Sequence, residues 1–271
     1  MKQMQRLLNW FVVCGVALAM ASDVSAQSSQ ERKGKVIRVK GAARYSTGNN
    51  VWQPLKVGTS LKAGAIVQTA ADSYADIVFG DPDARVSRVP VGDVLSYQPV
   101  AEQDLVRVSP DSVLAIDKLT VVDTGADQVT ETQLDLRAGK VFGTVKKLSA
   151  ASRYEVKIPN GVAGIRGTIY TLSAAGVVQV LVGQVVIAYT QADGTVVTQV
   201  VNGGYQFDAR TGLVTPIPDY EQKTMVKAAK EARIGPKTPP TTFVVDQTIY
   251  YVSPRLGFNS GSGPNEPGGG G

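Results

Sequence analysis

Ile158-Pro159-Asn160-Gly161-Val162-Ala163-Gly164-Ile165-Arg166-Gly167-Thr168-Ile169-Tyr170 is the stretch on which the fold reading turns. Its glycines recur every third residue, at 161, 164 and 167. In a helix each would cost about 1 kcal/mol relative to alanine. The β-branched and aromatic residues on both sides suit a strand that enters a crowded place, bends, and leaves as a strand again. A dinucleotide-binding loop follows a strand and opens a helix. Here Gly167 opens Thr168-Ile169-Tyr170-Thr171-Leu172, a strand pattern. Gly161, Gly164, Arg166, Gly167 and Thr168 therefore read as a structural motif in which backbone packs on backbone. Valine at Gly164 or Gly167 is expected to damage folding wherever φ is positive or packing is tight. Arg166 is the one long polar residue of the stretch, and burial would require a carboxylate or several carbonyls around it. Asp135, Glu155 and Asp76 are candidate partners, and the reading is an arginine that bridges strands. An anion or carboxylate site at Arg166 is the sharper alternative.

Outward from this stretch the chain is written in short strands. Val36 to Val39, Tyr74 to Phe79, Thr130 to Leu136 and Tyr154 to Ile158 alternate or run apolar between glycine-rich turns. Val113–Asp117 and Leu119–Val122 read as two strands or one bent one. Val177–Val182 and Val185–Tyr189, separated by Gly183, are near-continuous apolar runs, as in strands buried on both faces. Asp193-Gly194 before Thr195–Val201 is a hairpin signal. Trp52 and Leu55 read as core, with carbohydrate stacking the sharper alternative for Trp52. The pattern is mainly β, a twisted two-sheet sandwich or a solenoid-like stack, with one short C-terminal helix. That helix is expected over 219–234, where Met225, Ala228, Ala229 and Ala232 alternate with Lys and Glu before Gly235-Pro236. Residues 235–258 read as a linker with a possible extra strand, and 259–271 as a disordered Gly/Ser/Pro tail.

Lys2 and Arg6 precede an apolar run, Leu7 to Met20, and then Val24-Ser25-Ala26. That is a secretory leader spanning 1–26, cut after Ala26. The run falls short of the ~20 residues that span a bilayer, and no later segment is apolar enough, so the mature chain is expected to lack a transmembrane segment. The one cysteine, Cys14, lies in the leader, and the sequence has no histidine. Zinc, haem and iron–sulfur sites built on those ligands are excluded, as are Ser-His-Asp and Cys-His nucleophiles. No cofactor is expected. The net charge of +5 comes from scattered basic residues such as Lys33, Lys35, Arg38 and Lys40, without the clustered patch that nucleic acid requires.

Several motifs in order resemble the FecR family. They are Val36-x-x-Val39-x-Gly41, Trp52-x-Pro54-Leu55-x-x-Gly58, Leu61-x-x-Gly64, Ile66 to Thr69 and Asp72-Ser73-x-Ala75. Lys146-Lys147-Leu148, Ser152-x-Tyr154, the opening stretch and the apolar pair around Gly183 complete the likeness, over about residues 33–210. The resemblance implies an extracytoplasmic β domain with no catalytic residues, in the periplasm or at the surface of a diderm bacterium. The best-understood relatives pass a periplasmic signal from an outer-membrane receptor to a sigma factor, and they carry a cytoplasmic helical segment and a membrane helix before this domain. Here the leader is followed almost directly by the domain, so this chain is expected not to hold a sigma factor alone.

The leading expectation is an exported, non-enzymatic protein that binds an envelope protein or a cell-wall or surface glycan. A periplasmic signalling component working with a separate anti-sigma and receptor system comes second. A carboxylate-dependent glycan hydrolase using Glu155 and Asp76 comes third, because nothing in the sequence sets the spacing of the two.

Overall fold

The computed structural model describes residues 29–48, 51–80, 101, 103–125, 127–191, 193–232 and 251. The expected leader and tail, and the linker apart from Tyr251, lie outside these residues. The first strands are β1 (Gln30–Glu31), β2 (Gly34–Lys40), β3 (Ala43–Ser46), β4 (Gln53–Pro54), β5 (Ser60–Leu61), β6 (Ile66–Thr69), β7 (Tyr74–Phe79) and β8 (Leu105–Val108). Next come β9 (Val113–Asp123), β10 (Gln128–Ala138), β11 (Lys140–Val145), β12 (Arg153–Ile158), β13 (Gly161–Ser173) and β14 (Val177–Thr190). β15 (Val196–Asn202), β16 (Tyr205–Asp208), β17 (Leu213–Pro216) and the helix α1 (Asp219–Ala232) close the order.

β13 organises the rest. Its first half pairs with β12, its second half with β11, and β14 follows its other edge throughout. The register shifts between Arg166 and Ile169, where Gly167 has φ +63°. Opposite it, Gly183 in β14 has φ +86°. A left-handed backbone conformation is open to glycine at little cost and to few other residues. These two glycines bend the hairpin and let its halves enter different sheets.

One sheet runs β15-β14-β13-β12-β10-β9-β6-β3-β4, with β10 and β12 parallel and the other pairs antiparallel. The other runs β17-β16-β14-β13-β11-β8-β7-β2-β5. The two form a single curled sheet folded over one core, a sandwich rather than a solenoid. Alternate residues supply that core: Ile77, Val106, Leu114, Leu134, Val156, Ile165, Tyr170, Leu172, Val180 and Phe207 all belong to one buried cluster.

β9 is a single strand with a bulge near Ile116–Lys118, which accounts for its two-part sequence pattern. The second half of β14 departs from its expected burial. Val185, Ile187 and Tyr189 are buried, but Gln184 and Val186 are exposed, so this half covers the core with one face only. The Asp193-Gly194 hairpin forms, with the Thr195 N–H donating to Asp193 Oδ1 at 2.9 Å.

Candidate functional site

The outer face of the second sheet carries a smaller apolar cluster, Val78, Leu105, Phe142 and Ile169, with Ala229 and Ala232 of α1 upon it. Strand alternation sends these four side chains away from the main core. Adjoining them, the registers align one residue from each strand into a transverse row. It runs Arg38, Asp76, Arg107, Phe142, Thr171, Gln179, Gln206 and Thr215. Such a row is mostly polar because it lies beneath a helix that brings its own polar partners.

Asp76 anchors one end and is fully buried. Arg107 donates to it through two nitrogens, Nε to Oδ1 at 2.7 Å and Nη2 to Oδ2 at 2.9 Å. Arg38 Nη1 donates to Oδ2 at 3.1 Å. The remaining arginine donors turn to the helix. Arg107 Nη1 meets Glu231 Oε2 at 2.8 Å, and Arg38 Nη2 meets the Glu231 carbonyl at 3.2 Å. Two arginines and two carboxylates balance, as buried charge requires. The Tyr74 ring lies 4.4 Å from the Arg107 guanidinium carbon. Burial alone would ease the Arg107 proton off, but Asp76, with Glu231 and Tyr74 adding to it, holds its pKa above the ordinary arginine value.

At the other end Gln179 donates to Glu221 of α1 and to Gln206 at 2.9 Å, and Gln206 donates to Thr215 at 3.3 Å. Glu221 and Glu231 are ten residues apart, about 15 Å along a helix axis. From β8 to β14 is three strand steps, about 14–15 Å. The helix thus crosses the strands and is pinned near both ends, with Met225 and Ala229 buried between the pins and Ala232 buried just past the second. Its other long side, including Lys223, Val226 and Lys227, lines a cavity of about 440 Å³.

Arg166 lies elsewhere. It is exposed, and its Nη2 donates to the Leu148 carbonyl at 3.0 Å. A carbonyl, not one of the three candidate carboxylates, accepts from it: Asp76 pairs with Arg107 and Arg38, Glu155 lies beside Arg153 at 3.4 Å, and Asp135 beside Arg137 at 2.8 Å. An arginine on the outer face of β13 keeps its charge in water and needs no buried partner. Thr168 is fully buried, its hydroxyl 2.9 Å from both the Arg166 and the Gln184 carbonyl oxygens. Gly161 is tightly backed, since a Cβ there would meet the Ala188 carbonyl oxygen at 2.4 Å. Gly164 is not: its Cβ would find only the Val186 carbonyl oxygen, at an ordinary 3.7 Å, and its φ is unexceptional.

Trp52 is half-buried and stacks on Arg44, with 4.4 Å between guanidinium carbon and ring centre. The Tyr251 ring lies 3.8 Å from the same guanidinium carbon, and Arg44 Nε donates to Gln68 at 2.8 Å. Glu155 and Asp76 sit on different sheets, so the structure does not bring the hydrolase pair together.

A second polar group, largely buried, ties the adjoining ends of β7, β8 and β11. Arg32 donates to the Phe79 carbonyl at 3.0 Å and lies 4.0 Å from Asp104, which accepts from the Lys146 N–H at 3.0 Å. Burial raises the Asp104 carboxyl above its usual range. The Tyr154 and Tyr170 hydroxyls are buried without a well-formed hydrogen bond among the described residues. Burial holds both phenols above their ordinary value.

Sequence reasoning passed over the Arg107–Asp76–Glu231 cluster. Its one local signal is a charged residue set within each of two otherwise apolar strands, Asp76 in β7 and Arg107 in β8.

Residues 99–186 match the family model described as FecR protein, which bears out the resemblance over that segment. It spans β8 to most of β14, and so contains Arg107, Phe142, Thr171 and Gln179 of the row. Two crystal structures of a proposed anti-sigma factor from Parabacteroides distasonis, at 2.50 Å and 1.65 Å, also resemble the chain. Each is 12% identical, with TM-scores of 0.33 and 0.34, and the match covers 48% of this chain and 58% of theirs. The chain therefore spans little more than half of those proteins. No curated protein matches it.

Proposed function

We propose that this chain is an exported, non-enzymatic FecR-domain component of envelope signal transduction, which works by binding an envelope protein. The observation that carries the reading is the FecR match on residues 99–186, the segment that builds the bent hairpin and most of the helix-covered row. Buried Asp76 supports a non-catalytic role, because it is fully covered and both of its oxygens are bonded to arginines. No helix among the described residues is long and apolar enough to cross a membrane. In this reading the domain acts alongside a separate membrane anti-sigma protein.

Wall-glycan binding is a second reading, favoured by the half-buried Trp52 beside Arg44 and Tyr251. Immobilised protein is exposed to envelope extract and, separately, to purified peptidoglycan. Specific retention of an envelope protein is the expected result. Retention on peptidoglycan alone selects the glycan reading, and retention by neither sinks both. A turnover screen on wall polysaccharides should yield no product at any pH; product formation would overturn the non-enzymatic assignment.

A further inference from the structure

Among the described residues β15 is an edge strand, joined by a ladder to β14 alone. The Gln191 N–H donates to the Thr195 carbonyl at 2.9 Å, and the Gly203 N–H to the Gly183 carbonyl at 2.9 Å. These two bonds fix the phase of the antiparallel ladder. Odd-numbered residues of β15 bond to β14, and the N–H and C=O groups of Val196, Thr198, Val200 and Asn202 point away from it. The Gln199 side-chain amide donates to the Val200 carbonyl at 2.8 Å, so that outward carbonyl takes the nearest donor in its own strand.

Other sheet edges are blunted in the ways that prevent strand addition. β1, β4 and β5 are two residues long, β4 contains Pro54, and β17 ends in Pro216. β15 is seven residues, Val-Val-Thr-Gln-Val-Val-Asn, with no charge, proline or glycine. An edge of this composition invites pairing unless something covers it. Its outer face exposes valines alongside Thr198 and Asn202. Val196 is 67% exposed and Val200 41%, and Val186, opposite Val200, is 41% exposed.

We propose that a second copy of this chain covers the edge, β15 pairing antiparallel with β15 about a twofold axis at Gln199. The occupant is a copy because the strand is complementary to itself. Outward-pointing residues must face outward-pointing residues, which requires an even register sum, and full overlap then places Gln199 opposite Gln199. Val197 faces Val201, Thr198 faces Val200, and Val196 faces Asn202, each twice. All eight outward backbone groups gain partners, and the partner's Thr198 N–H replaces the Gln199 amide at the Val200 carbonyl. The absence of charge removes the like-charge opposition that would otherwise oppose pairing a strand with itself. The interface is isologous and closes at two copies. Because it is one strand wide, it falls toward the small end of specific interfaces, so the dimer dissociates on dilution.

Sedimentation velocity of the purified protein over a concentration series tests this, with Thr198→Lys as the variant. Thr198 is exposed, so the variant keeps the wild-type melting temperature at concentrations where both are monomeric, while its charge blocks the edge. Wild type should pass from monomer to dimer with concentration, and Thr198→Lys should stay monomeric. A second measurement fixes the register. In a Cys14→Ser background, Gln199→Cys should form a disulfide-linked dimer under mild oxidation, since facing non-hydrogen-bonded residues come within disulfide range. Cysteine at the exposed control Tyr220 should not. A wild type that stays monomeric at every concentration overturns the proposal, as does a Thr198→Lys dimer. Cross-linking at Tyr220 but not at Gln199 would assign dimerisation to another surface.

Discussion

A Cβ on Gly183 would stand 2.3 Å from the carbonyl oxygen of Gly167. Both residues have positive φ, and they face each other where the β13–β14 hairpin divides between two sheets. The bend therefore depends on two missing side chains at one point.

Three substitutions separate the causes. Gly183→Ala meets both the strained φ and the Gly167 backbone, and should destabilise by about 3 kcal/mol or more. Gly167→Ala meets strain alone, its nearest contact being Lys147 at 3.6 Å, and should lose about 1–2 kcal/mol. Gly164→Ala has room and an ordinary φ, and should stay within about 0.5 kcal/mol of wild type. Urea unfolding ranks the three, and equal losses would contradict this account of the bend.

Asp76 is the buried carboxylate shared by Arg107 and Arg38. Asp76→Asn leaves two arginines short of negative charge, and breaking a buried pair from one side costs about 3–5 kcal/mol. The double variant Asp76→Leu with Arg107→Met removes both charges and should recover most of that loss. Denaturant midpoints of the single and double variants give the comparison.

The helix end responds locally instead. Glu231 is 38% exposed at its side chain, so Glu231→Ala should cost no more than about 1 kcal/mol of global stability. Amide exchange at residues 228–232 should nonetheless accelerate, while β7, β8 and β11 keep their protection. Hydrogen exchange read by mass spectrometry distinguishes this from uniform loosening.

Tyr154 and Tyr170 make the fold sensitive to alkali. Unfolded phenols ionise near pH 10.0, whereas burial keeps these two protonated to higher pH. Above about pH 10 the unfolded chain therefore binds fewer protons than the folded one, and stability falls as pH rises through that window. Replacing both tyrosines with phenylalanine should flatten the fall. The change should be nearly neutral at pH 7, because neither hydroxyl has a well-formed partner to lose. Melting temperatures of both proteins from pH 7 to pH 11 supply the test.

Much of the fold was legible because strand period, glycine turns and the helix of small residues are local signals. Asp193-Gly194 names its own turn, and Gly167 announced a bend within a strand. The motif was read less well residue by residue. Gly164 looked equivalent to Gly167, but its φ is ordinary and its neighbours stand off. Arg166 looked buried because apolar residues flank it in sequence. Strand alternation places those neighbours on one side and Arg166 on the other.

The sequence by itself determined that this chain makes short strands, where it turns, that a helix follows them, and that it has no histidine for chemistry. Those properties depend on residues within a few positions of one another. Only the tertiary structure decided which charges meet. Arg107 finds Asp76 across 31 residues and Glu231 across 124. Such pairs are set by sheet register and by where the helix comes to rest, and both are outcomes of packing the whole chain.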